Sequence, residues 1–130
     1  RGEYRSRKPR FLDTIRRSRK GWDVRVIEGF YEATLTPDVI AAHQMAAAAF
    51  VNVDCDLYQS TLEALRFVTP LLRTGTVLYF DDWFFAGGDM TVGEPGACQQ
   101  WLAESPDIEL VDYGNVAVMG KLFLVQKRRG

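Results

Sequence analysis

Two apolar runs in this chain stop abruptly at acids. FVNV, Phe50 to Val53, runs into DCD, and TVLYF, Thr76 to Phe80, runs into DDW about two dozen residues later. Short runs rich in β-branched and aromatic residues are strand signals. Between them lies STLEALRFVTPLLRTG, in which Leu62, Leu65, Val68 and Leu72 fall on one helical face and Gly75 ends the pattern. Ser60 and Glu63 have the spacing of a capping box, and Pro70 is expected to loosen the last turn.

Other stretches read the same way. FLDTIRRSRKG (11–21) predicts a helix that ends in basic residues and stops at Gly21. VRVIEG (24–29) predicts a strand, and TLTPDVIAAHQMAAAA a helix with Thr36 as N-cap and Pro37 at its first position. FFAGGDMTVGEPGA (84–97) has no period and many glycines, so it predicts a loop and a candidate lid. CQQWLAES predicts a short helix, and IELVDYGN and KLFLVQK predict a terminal hairpin. The order predicts one α/β domain over residues 1–130, with a mainly parallel sheet, an antiparallel C-terminal hairpin and a flexible basic arm over residues 1–10.

This topology brings the acids together. A strand, helix, strand unit returns the chain to a parallel neighbour roughly 4.8 Å away, so both strands end at the same edge of the sheet. Asp54 leaves one strand there, and Asp81 and Asp82 leave the other. Open α/β sheets bind ligands at that edge. From Ile27 to Asp112 the only Lys or Arg residues are Arg66 and Arg73, so the carboxylates lack a basic neighbour in sequence. Crowded carboxylates either protonate or gather a cation, and an all-oxygen donor set favours magnesium, manganese or calcium over zinc. The plainer reading makes Asp54 or Asp82 a helix or turn cap, but Ser60 already fills that role after Asp54. Asp56 is a candidate substrate contact.

Composition narrows the classes. The chain has 130 residues, 47% apolar and 25% charged, with a formal net charge of −1, as in an ordinary soluble domain. No apolar run reaches the roughly 20 residues of a membrane span. No membrane partner is expected, and the absence of a signal peptide points to the cytoplasm. Cys55 and Cys98 fit neither a disulfide framework nor a zinc site. Most of the arginines and lysines lie before Val26, without the aromatic interleaving of a nucleic-acid platform, so no nucleic-acid partner is expected. His43 sits alone in the alanine-rich stretch and is no catalytic base. The chain starts at Arg1 and not at Met, which reads as a removed leader or as a piece of something longer.

IEGFYEATL, AFVNVDCDLYQST and GTVLYFDDW, in that order and spacing, resemble the C-terminal half of the class I S-adenosylmethionine-dependent methyltransferases, specifically the macrocin-type sugar O-methyltransferases. The resemblance runs from about Phe11 to the end. It implies a Rossmann-like methyltransferase sheet whose N-terminal part is missing, with magnesium held by Asp54, Asp81 and Asp82. It also implies that Gly29 and Phe30 touch the adenine of S-adenosylmethionine, and that the loop from Trp83 borders a small-molecule hydroxyl acceptor. The glycine-rich cofactor loop and the ribose-binding acid of that family would lie upstream of Arg1. An isolated chain is therefore expected to bind the cofactor weakly and, through its open sheet edge, to form homo-oligomers. No general base is identified.

Two other classes compete. An acid pair after a strand also opens the haloacid-dehalogenase phosphatases, which need a lysine between their acidic sites, and none lies between Lys20 and Lys121. The other is a truncated, non-catalytic dimerising domain of the same fold.

Overall fold

A computed structural model describes residues 8–128. Four strands, β1 (Phe50–Val53), β2 (Val77–Phe80), β3 (Ile108–Val116) and β4 (Gly120–Lys127), form one mixed sheet in the order β1-β2-β4-β3. β1 and β2 are parallel, with Val53 opposite Phe80. β4 is antiparallel to both β2 and β3, which gives the expected hairpin. The helices are α1 (Lys8–Ser18), α2 (Tyr31–Thr34), α3 (Pro37–Ala42), α4 (Tyr58–Val68) and α5 (Gly93–Glu104).

The crossover from β1 to β2 runs through α4 and a 3-10 turn at Thr69–Leu71 that includes Pro70, where the missing N–H loosens the helix end. Leu62 and Leu65 face inward from α4 and join Val53, Leu78, Phe80, Trp101 and Val125 in the core. Each such side chain, fully buried, contributes about 1.5–3 kcal/mol of transfer free energy. Trp101 holds α5 against this crossover, its indole N–H donating to Thr69 Oγ1 at 2.8 Å. The acid-bearing ends of β1 and β2 are thereby carried on a packed αβ layer.

Several expectations are corrected. VRVIEG forms no strand: among the described residues it has no paired neighbour, because the sheet ends at β1, and a strand requires a partner for its N–H and C=O groups. The alanine-rich helix stops at Ala42, and Gln44 has φ 50°. Ala48 and Ala49 instead feed the sheet, Ala48 N–H donating to Leu71 and Val77 N–H to the Ala49 carbonyl. Tertiary hydrogen bonding here overrides alanine's helix propensity. Thr36 is the N-cap of α3 and Pro37 its first residue, but the Thr36 side chain makes no capping bond.

The Ser60 and Glu63 capping box is absent. Leu57 is the N-cap of α4, Ser60 lies inside the helix, and Glu63 accepts from Gln59 one turn away. Residues 93–97, expected in the loop, open α5 instead. Pro95 falls in the first turn, where an N–H has no helical partner to lose. Lys8–Arg10 of the expected arm are helical, and the rest of that arm lies outside the described residues.

Candidate metal centre

The β1–β2 ladder continues to the edge of the acids, since Asp81 N–H donates to the Val53 carbonyl at 3.0 Å. Just beyond, Asp54, Asp56 and Asp82 each present a carboxylate oxygen, all within 4.8 Å of one another. Asp54 and Asp56 are exposed and Asp82 is half-buried. Asp56 has φ 57°, a left-handed conformation that aspartate tolerates better than most residues. This turn ends the strand and puts Asp56 on the same rim as Asp54.

Asp81 stands outside that trio. Its Oδ1 accepts the Tyr79 hydroxyl at 2.6 Å, and this bond pushes the Tyr79 phenol up to about 12. Trp83 turns inward, only 7% exposed, with its ring edge-on to Phe80 and Phe123 at 5.0 Å each. It props the acidic turn from beneath. Gly29 and Phe30 lead into α2, and Phe30 is 82% exposed. Gly29 has φ 150°, and a Cβ there would lie 2.5 Å from Thr34 Cγ2, so only glycine fits. The next residue, Tyr31, reaches the acid turn, its hydroxyl accepting from Cys55 Sγ at 3.7 Å.

Crowding shows in the titration. Asp82 is pushed up to about 6, first by a hydrogen bond shared with Asp56, then by burial and by the charges of Asp56, Asp81 and Asp54. Asp54 is raised by burial, with Asp81 and Asp56 adding repulsion. Arg66, Lys121, Lys127 and Arg128 pair with Glu104, Asp112, Asp107 and Glu109, away from the trio. A hard divalent cation suits such a set, because its donors are all oxygen and its excess negative charge is what the ion offsets.

A further acid, Glu94, joins this site. Glu94, the second residue of α5, is 1% exposed, and its Oε2 accepts the Asp82 backbone N–H at 3.0 Å. Its Oε1 is buried with no partner. Burial pushes Glu94 up to about 7 and the charges of Asp82 and Asp81 add to that, while the backbone amides of Asp82 and Cys55 pull it down. Its only signal was an acid following a glycine-rich loop.

Two clefts lie elsewhere. One of about 220 Å³ separates α1 from Trp22, Val24 and Val26, and one of about 370 Å³ separates α2 and α3 from α4. Neither is lined by the acid trio.

No protein-family model matches the chain, and no curated protein does. Solved structures do. The O-methyltransferase NovP is similar at 22% identity with a TM-score of 0.62, over 90% of this chain and 45% of its own. CalS11, a TDP-rhamnose 3'-O-methyltransferase of calicheamicin biosynthesis, is similar at 21% identity with a TM-score of 0.65, over 89% of this chain and 50% of its own. The chain thus has the α/β fold of these O-methyltransferases and spans about half the length of each.

Proposed function

We propose that this chain carries the metal-binding and acceptor side of an O-methyltransferase, which moves a methyl group from S-adenosylmethionine to a hydroxyl of a sugar or related natural product. The observation that carries this reading is the convergence of Asp54, Asp56 and Asp82 within 4.8 Å at the ends of adjacent strands, on a fold shared with O-methyltransferases. The sugar acceptor rests on the likeness to CalS11.

Asp54, Asp56 and Asp82 would hold magnesium, which supplies Lewis acidity that lowers the pKa of an acceptor hydroxyl. Phe30, projecting from the Gly29 turn beside the acids, offers an exposed ring for the adenine of the cofactor. Asp56, exposed on the rim, would also accept a hydrogen bond from the acceptor hydroxyl and orient its oxygen. In the transfer an oxygen–carbon bond forms, the sulfur–carbon bond breaks, and S-adenosylhomocysteine leaves while the hydroxyl proton passes to solvent. The donor is already activated, so orientation is the protein's main contribution.

The phosphatase alternative finds no support at the rim. Lys121 Nζ is bonded to Asp112 and Asn115, not to the trio.

Calorimetric titration with manganese chloride tests the site. The wild-type chain is expected to bind one ion, and Asp54→Asn or Asp82→Asn to weaken binding by about tenfold or more, which is about 1.4 kcal/mol. Unchanged affinity in the double variant rules the site out.

A further inference from the structure

We infer that Glu94 is a positioning residue, whose carboxylate holds the turn after β2 from the start of α5, beside the turn after β1, and so fixes the position of the Asp82 oxygens relative to those of Asp54 and Asp56. This inference rests on the metal-binding reading above.

Three observations carry it. The first is the bond itself: Glu94 Oε2 takes the N–H of Asp82, the one member of the trio that comes from the second strand. Fixing that amide fixes where the Asp82 side chain begins. The second is how α5 is seated. A Cβ on Gly93 would lie 4.0 Å from the Asp56 carbonyl, so the helix starts beside the first acid turn. A Cβ on Gly96 would lie 2.5 Å from the Thr91 carbonyl and 3.0 Å from the Tyr58 ring, so this close approach requires glycine. Ala97, Cys98 and Trp101 behind it are buried in the core. Glu94 therefore projects from a rigid support between the two turns.

The third observation is burial. A carboxylate 1% exposed, with Oε1 unpartnered, is held in place at a cost to stability. The first turn of α5 offsets part of this, because free N–H groups and the helix dipole favour negative charge there. An acceptor-only group at this place is suited to holding a backbone amide, and Glu94 Oε2 holds that of Asp82.

The test compares Glu94→Ala with Glu94→Gln in the full chain, reading manganese affinity by calorimetry and the exchange rate of the Asp82 amide in metal-free protein. A glutamine carbonyl still accepts the Asp82 N–H, whereas alanine has no acceptor. Glu94→Ala is expected to weaken manganese binding about tenfold or more and to speed Asp82 exchange. Glu94→Gln is expected to restore both to within about threefold of wild type, or about 0.65 kcal/mol.

Wild-type affinity in a destabilised Glu94→Ala would overturn the inference, leaving a merely structural residue. So would a folded Glu94→Gln as weak as the alanine variant, which would make the charge itself the ligand. If Glu94→Ala does not fold, Glu94→Asp decides, because it keeps the charge but falls one methylene short and is expected to lose affinity too. Wild-type protein that binds no manganese refutes the metal reading and the inference with it. That failure is read on the wild type, and the inference's own failure on the variant-to-wild-type ratio.

Discussion

Asp82 is held up to about 6 because Asp56 shares a hydrogen bond with it and the neighbouring acids repel its charge. Glu94 is held up to about 7 chiefly by burial. Both folded values lie above the ordinary ones of 3.8 and 4.5, so the folded state binds protons more readily than the unfolded chain. The stabilisation from these groups is complete below their ordinary values and is lost as pH rises through about 6 and then about 7. Metal-free protein is therefore expected to melt at a higher temperature at pH 5 than at pH 8. Saturating manganese should oppose that trend, because the ion favours ionised acids and competes with protons. Thermal melts in EDTA and in manganese chloride check both statements, and a metal-free melting temperature that rises from pH 5 to pH 8 contradicts them. The ends of the apolar runs place Asp54 and Asp82 at the rim; Asp81, expected beside them as a ligand, instead accepts the Tyr79 hydroxyl, and Asp56, expected as a substrate contact, joins the trio through its left-handed turn. Glu94 was not legible in the sequence, since its burial arises only when α5 docks.

At the scale of elements, α5 is the part on which the site depends most. Trp101 is fully buried and ties α5 to the crossover through Thr69, and Arg66 of α4 pairs with Glu104 one turn farther along α5. Trp101→Ala is expected to cost about 3–5 kcal/mol, as is usual for deleting a buried aromatic ring. Denaturant melts measure it, and a loss under 1 kcal/mol would show that α5 does not depend on that anchor. β1, β2 and the hairpin were legible because each is apolar enough, in the right period, to declare itself locally. VRVIEG has an equally good local pattern and forms no strand, because pairing is a property of the neighbour and not of the segment. The alanine stretch failed as a helix for a related reason: the Leu71 carbonyl, which accepts the Ala48 N–H, and the Val77 N–H, which donates to the Ala49 carbonyl, capture its backbone.

Taken whole, the molecule places a rim of acids at one edge of a mixed sheet, on a fold that NovP and CalS11 share over about half of their own length. Among the described residues, no helix is long and apolar enough to cross a membrane. Trp22 and Phe30 are 71% and 82% exposed on the segment before α2. The central claim is that these acids serve metal-dependent methyl transfer. It is tested most directly by following label from S-adenosylmethionine to a nucleotide-sugar hydroxyl in the purified protein. The account predicts transfer with magnesium, loss in EDTA, recovery on adding magnesium back, and loss in Asp82→Asn. Transfer indifferent both to EDTA and to Asp82→Asn would contradict it.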